Sequence, residues 1–163
     1  MRLYLQILHG KCGPADGDSE DWAPALRLAL DLERKQEADE FAKAIIAHQA
    51  TGFFEDYDHL GIPCKAETPK SRIAYALLVV GLDRSVNQDR VGNLNYCRRA
   101  QALLPSNTIV RVHLAFAYHE RAGKGDYEQC RALFHQAYKA EASQAVRSQI
   151  QSLAYDLSVG KLE

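Results

Sequence analysis

The residues best suited to chemistry cluster between positions 53 and 64. Aromatic side chains alternate there with carboxylates around a single histidine, in the order Phe53, Phe54, Glu55, Asp56, Tyr57, Asp58, His59. A histidine beside carboxylates can transfer protons. A solvated acidic loop has the same composition, so both interpretations stay open. The segment supplies one candidate function: a small helical enzyme or ligand-binding protein with a pocket near residues 53–64.

Two histidines lie close to cysteines, His9 to Cys12 and His59 to Cys64. A zinc site needs about four converging ligands, usually in two tight pairs at fixed spacing. Neither pair has that spacing, and the two lie in separate loops. The acidic residues 16–20 lack the central glycine and final glutamate of a calcium loop. We therefore expect no metal and no cofactor.

Nucleophilic catalysis would require a cysteine or serine next to a base. Cys97 and Cys130 fall inside helical segments, at positions where a free thiol packs as a small apolar group. The stretch GKGD at residues 123–126 lacks the rest of a phosphate-binding loop. No catalytic residue is assigned, and we expect that the chain is not an enzyme.

Composition excludes several classes of partner. The chain has 163 residues, 47% hydrophobic and 25% charged, with a formal net charge of −1. This balance gives no electrostatic reason to expect nucleic acid or a membrane surface as partner. No stretch is long and apolar enough to span a bilayer, and MRLYLQIL is short for a signal peptide. The four cysteines form no CxxC pair, which favours a reducing compartment. We expect a cytoplasmic protein.

Helical periodicity runs through most of the sequence and predicts one all-α domain over residues 1–163. Residues 71–82 are apolar on nearly all sides, so we expect neighbouring helices around them. The last helix, 143–159, carries a single apolar stripe, typical of the end of an array. The predicted parts are an N-terminal segment and loop (1–21), a helical hairpin (22–50), a connection (51–70), two similar units (71–142, with a polar turn at 83–93), and a capping helix and tail (143–163).

The two similar units repeat at 36 or 37 residues. In the first helix of each unit, Tyr75, Leu78, Val79 and Leu82 correspond to Arg111, Leu114, Ala115 and Tyr118. In the second helix, Asn93, Cys97, Ala100 and Pro105 correspond to Cys130, Phe134, Ala137 and Ala142. The sequence therefore contains one helix–turn–helix unit written twice.

This unit resembles the tetratricopeptide repeat, whose pattern is W-x2-L-G-x2-Y, then A-x3-F, then P, over about 34 residues. The clearest copy is RVHLAFAY at 111–118 followed by CRALFHQA at 130–137. Small residues at 115, 130 and 137 let the helices approach closely. Arg111 replaces the usual Trp, Ala142 replaces the usual Pro, and the turn between the helices is longer. The resemblance implies antiparallel hairpins stacked as a short right-handed array.

The same resemblance implies a protein–protein interaction module, an adaptor or chaperone-like scaffold. Its concave groove would be made by the first helices of the units. Most of these positions are apolar, so they suit an apolar partner segment and not a carboxylate clamp. The residues themselves could instead be buried by the first hairpin or by residues 53–62. Residues 1–8 could also fill this groove or that of a neighbouring copy, giving a homodimer. The predicted groove residues are Ile73, Ala76, Val80, Arg84, Ile109, Val112, Phe116, His119 and Glu120.

Overall fold

The computed structural model describes residues 13–16, 18–49, 62 and 64–163, and all structural statements refer to them. Within these residues a short 3-10 turn, Pro14–Asp16, precedes seven α-helices, and there is no strand. The all-α prediction is confirmed. The helices are α1 (Ser19–Asp31), α2 (Lys35–Gln49), α3 (Pro69–Val86), α4 (Arg90–Leu103), α5 (Thr108–Arg121), α6 (Asp126–Ala140) and α7 (Gln144–Asp156).

Helix α3 is the centre of the structure. Its residues 73–81 are all buried. Helices α2, α4 and α5 all pack against it, which confirms the prediction that neighbours surround this segment. Every other helix packs against its neighbours in sequence, so the described chain is a stack of helical hairpins closed by α7. A continuous core results because each helix buries its apolar face against the next one.

Helices α2 and α3 are joined by an ion pair. The Arg72 guanidinium donates to both carboxylate oxygens of Asp39, from Nε at 2.7 Å and from a terminal nitrogen at 2.9 Å. The bond from Arg72 holds the pKa of Asp39 below its usual value. Both residues lie near the start of their helices, so these two helix starts are side by side. The long connection 50–68 makes this arrangement possible, since a short turn would bring opposite ends together.

The turn between α3 and α4 is shorter than the predicted polar turn at 83–93. Helix α3 continues to Val86 and α4 begins at Arg90. Gln88 has a left-handed φ of 65°, and the backbone amides of Gln88 and Asp89 donate to the carbonyls of Ser85 and Arg84. This is a Schellman motif, which normally uses glycine at the left-handed position. The polar residues before and after this turn therefore belong to α3 and α4, and one side of them faces solvent.

The same motif ends two other helices. Glu33 after α1 has φ 57°, and Ser158 after α7 also has φ 57°. Helix α7 stops at 156, earlier than the predicted 159, and α1 stops at 31. Beyond α7 the tail turns back on the structure. Gln151 donates to the Gly160 carbonyl and accepts from the Leu162 amide, both at 2.9 Å, and the Leu162 side chain is buried.

Helix α4 comes closest to α3 at Gly81. A Cβ built there would lie 2.8 Å from Oδ1 of Asn93 and 3.4 Å from Cβ of Tyr96. Contacts below 3.0 Å would force a neighbour to move. Asn93 has little freedom to do so, because it is buried and its amide is held on both sides. Glycine at 81 is therefore what lets the two backbones approach.

A polar junction fixes α3, α4 and α5 relative to one another. One carboxylate oxygen of Glu120 on α5 accepts from the Ser85 hydroxyl on α3 at 2.7 Å. The same oxygen accepts from the Asn93 side-chain amide on α4 at 2.9 Å. The Cys97 thiol then donates to Oδ1 of Asn93 at 3.3 Å. We call Ser85, Asn93, Cys97 and Glu120 the polar junction.

Among the basic side chains of the described chain, His113 is the one whose pKa burial lowers most. Its Nε2 is buried, and burial lowers the pKa of its imidazole to about 4, since the charged form loses its hydration. The unfolded chain restores an ordinary imidazole with a pKa near 6.5. Between these values the unfolded state binds a proton that the folded state does not. The stability contributed by neutral His113 is therefore lost as pH falls through this window.

Replacing Glu120 tests the polar junction. Glu120→Ala removes the acceptor for Ser85 and for the buried Asn93 amide, so we expect the free energy of unfolding to fall by about 1–3 kcal/mol. Glu128→Ala is the matched control, because Glu128 is an exposed carboxylate with no side-chain partner in the described chain. Urea denaturation measures both variants. Equal losses in the two variants would contradict a structural role for Glu120.

Acid unfolding tests His113. From pH 6.5 to pH 4 we expect wild-type protein to lose about 1–3 kcal/mol of stability through this one group. In His113→Gln this window should be flatter, because the titrating group is gone. His119→Gln removes an exposed imidazole and serves as the control. Urea midpoints at closely spaced pH values give the slope, and parallel curves for wild type and His113→Gln would disprove the assignment.

Candidate functional site

The apolar part of the predicted groove lies inside the protein. The side chains of five predicted positions are buried in the hydrophobic core and contact the chain's own residues. Their burial follows from the position of α3 between three helices and from the packing of α3 against α5. A partner segment therefore has no exposed apolar surface at these five positions. They are Ile73, Ala76, Val80, Ile109 and Val112.

The other four predicted groove residues have some exposure, but they do not form one apolar surface. Phe116 is partly buried, and its ring meets that of Phe134 edge-on with centroids 6.0 Å apart. His119 is exposed. Glu120 is engaged inside the polar junction. Arg84, near the end of α3, is the one whose charged group faces an open cleft.

The second predicted site, a pocket near residues 53–64, lies almost entirely outside the described residues. Of this stretch the structure describes Ile62, which is buried, and Cys64, which is partly buried. His48, near the end of α2, is exposed, and its ring lies edge-on to that of Trp22 with centroids 5.5 Å apart. These observations do not place catalytic side chains together among the described residues.

The two helical cysteines occupy packing positions, as their place inside helical segments predicted. Cys97 and Cys130 are both buried. Burial raises the pKa of the Cys97 thiol to about 12, and the negative charge of Glu120 adds to the effect. Burial also raises the pKa of Cys130 to about 11. Both therefore stay protonated at neutral pH, whereas the nucleophile and metal ligand is the thiolate.

In the described part of the chain, no three His, Cys, Asp or Glu side chains converge in a way that could hold a metal ion. Over the same residues, no helix combines the length and apolarity needed to cross a membrane.

An open cleft lies where α1, α3 and α4 meet, with a volume of about 470 Å³. Helix α4 supplies one wall through residues spaced three, four and seven apart, which share a face of a helix. Helix α1 supplies Arg27 and the end of α3 supplies Arg84. We call this space the arginine cleft. Its described lining consists of Arg27, Arg84, Asp89, Gly92, Asn95, Tyr96 and Arg99.

Each side of the cleft is positioned by local structure. Asp89 is the N-cap of α4, and its Oδ1 accepts from the Gly92 amide at 2.8 Å. A Cβ at 92 would lie less than 3.0 Å from the same carboxylate, so that carboxylate would have to shift. Nη1 of Arg99 forms an ion pair with Oδ1 of Asp31, at the end of α1, at a distance of 2.9 Å. That ion pair ties α1 to α4 at one end of the cleft.

The three guanidiniums of the cleft differ in how closely a carboxylate pairs with them. Arg27 is exposed and makes no side-chain hydrogen bond or ion pair in the described chain. Arg84 reaches Asp89 only at 3.9 Å, and about 43% of its side chain is exposed. Arg99 is held by Asp31. Two of the three positive groups are therefore available to a ligand.

Arg84 also borders a smaller opening of about 240 Å³ between α1 and α3. Its lining includes two carboxylates, Glu20 and Asp83, and neither forms an ion pair with Arg84. Arg84 therefore has one carboxylate, Asp89, on the side toward α4 and two, Glu20 and Asp83, on the side toward the start of α1. An anion is favoured on the cleft side, where Arg27 and Arg99 add positive charge.

Sequence reasoning found one residue of the cleft, Arg84, and missed the rest. The spacing of Gly92, Asn95, Tyr96 and Arg99 marks a single face of α4, and this was the signal available. That face became a wall only because α1 lies across from it. Arg27 is far from α4 in sequence, so its approach depends on the packing of the first hairpin.

Comparisons with protein-family models, with curated proteins and with solved structures found no match for this chain.

Proposed function

We propose that this protein is a protein–protein interaction module, an adaptor or chaperone-like scaffold, that holds a partner segment in the arginine cleft. The observation that carries the proposal is the cleft itself, a space of about 470 Å³ bounded by three helices of a packed array. Helical arrays of this kind use surfaces between their elements to bind other proteins. The cleft replaces the apolar groove as the binding surface, because the apolar residues of that groove are buried.

The tetratricopeptide-like repeat is part of this proposal. Packing in α5 and α6 supports it, since the small residues Ala115, Cys130 and Ala137 are fully buried where the repeat requires close approach. Phe134 is also fully buried between them, at the position of the large aromatic residue. Large and small side chains alternate at this interface as ridges-into-grooves packing requires.

A cytoplasmic location is proposed as well. Cys97 and Cys130 are buried thiols that form no disulfide. Buried cysteines that stay reduced are typical of proteins from a reducing compartment.

Site-specific photocrosslinking tests the function. A benzophenone amino acid placed at Asn95 sits on an exposed position of the cleft wall, and the same group at Gln129 sits on an exposed position of α6. On irradiation in the native cell extract, we expect a discrete protein adduct from position 95 and none of the same mass from position 129. Mass spectrometry identifies the adduct.

Three results would contradict the proposal: no protein adduct at 95, the same adducts at both positions, or an adduct of small-molecule mass. An adduct with twice the mass of the chain would identify a second copy as the partner. That result would retain the interaction function and make it self-association.

A further inference from the structure

We infer that the arginine cleft is an oxyanion site, and that its ligand is an acidic peptide segment of a partner protein. The inference rests on the proposed function and names the chemistry of the partner. Carboxylate and phosphate share that chemistry, because both present planar or near-planar pairs of oxygens to which a guanidinium donates two hydrogen bonds.

Three guanidiniums from three different helices border one open space. Arg27 comes from α1, Arg84 from α3 and Arg99 from α4. Convergence of like charges is unfavourable unless negative charge lies between them, because each guanidinium repels the others. The chain supplies part of that charge through Asp89 and Asp31, which reach Arg84 and Arg99 from the edges.

The remaining positive charge is unbalanced. Three guanidiniums meet two carboxylates, and the contact between Arg84 and Asp89 is long at 3.9 Å. The other acidic groups near the cleft, Glu20 and Asp83, lie in the adjoining opening and are not paired with Arg84. The whole chain carries a formal net charge of −1. Attraction for acids is therefore a local property of the cleft and not of the protein surface in general.

The cleft also has the room and the neutral donors that an acidic segment needs. Its volume of about 470 Å³ falls within the range of sites that take several side chains. Asn95 is exposed on the wall, and its amide has no hydrogen-bond partner in the described chain. Arg99 forms an ion pair with Asp31 while 39% of its side chain stays exposed, so it can also contact a ligand. A peptide can thus place one acid at Arg84 and Arg27 and rest against α4.

Fluorescence anisotropy with synthetic peptides tests the inference. The probe is a labelled peptide of alternating Glu and Gly, and the reference is the same peptide with Gln in place of Glu. At low ionic strength we expect the Glu peptide to bind wild-type protein at least about tenfold more tightly than the Gln peptide, since exposed charges are not yet screened. A third peptide with phosphoserine in place of Glu shows whether phosphate or carboxylate is the better source of the oxyanion.

Variants locate the binding. Arg84→Gln and Arg27→Gln should each weaken binding of the acidic peptides about fivefold, because each removes an exposed charge-assisted donor pair. Neither side chain holds helices together, so both variants should keep the helical circular dichroism of wild type. Arg131→Gln is the matched control: Arg131 is exposed on α6 without a side-chain partner in the described chain, and its loss changes the net charge equally. Its affinity should stay within about twofold of wild type.

Equal binding of the Glu and Gln peptides would overturn the inference, as would equal weakening by Arg84→Gln and Arg131→Gln. If a protein adduct forms at position 95 but no acidic peptide binds, the interaction function stands and the oxyanion chemistry falls. If acidic peptides bind through Arg84 but no protein adduct forms, the cleft is an oxyanion site and the scaffold function falls.

Discussion

The rest of the structure depends on how closely α4 can approach α3. Gly81 removes the side chain that would separate the two backbones, and the space is taken by Asn93. Because Asn93 is then buried, its amide must be satisfied, and the Glu120 carboxylate from α5 satisfies it together with the Ser85 hydroxyl. Three helices are thereby fixed in relative rotation as well as distance. One face of α4 packs against α3. A different face, which carries Asn95 and Arg99, is directed toward α1 and forms a wall of the cleft.

Buried and exposed charged side chains differ in how closely they are paired. The best-buried carboxylates are each paired across a short distance: Asp39 with Arg72 between helices, and Asp126 with Arg121 at the α5–α6 turn. Hydrogen bonds from these arginines lower the pKa of both carboxyls, so the pairs stay ionised over the neutral range. Each of these ion pairs removes one positive and one negative charge, so the balance of the remaining charges is unchanged. The cleft brings three arginines together in a chain whose net charge is close to zero, and composition alone could not reveal it.

Sequence reasoning recovered what depends on local pattern. The helices, the enveloped position of α3 and the packing role of Cys97 and Cys130 all follow from periodicity and residue size, and the structure confirms them. The helix ends were placed less well, because Glu33, Gln88 and Ser158 adopt left-handed conformations that sequence analysis reserves for glycine. The prediction of the groove failed for a different reason. An apolar stripe has the same pattern whether it binds a partner or packs inside the chain, and only tertiary contacts separate the two. The cleft joins residues of α1 and α4, so no local pattern contained it.

The exposure of the arginines decides what kind of binding the cleft can support. About 40% of the Arg84 and Arg99 side chains is open to solvent, so each ion pair forms in a largely aqueous medium and gains little free energy by itself. Selectivity must then come from the number of oxygens that can be contacted at once, which the separate origins of Arg27, Arg84 and Arg99 on three helices make possible. Such a site associates quickly and releases quickly, and salt weakens it. These properties suit the proposed scaffold, because it would exchange partners. The burial of the predicted groove and the exposure of the cleft therefore support the same proposal: the apolar side chains of the groove pack inside the protein, and the cleft offers charged side chains to a partner.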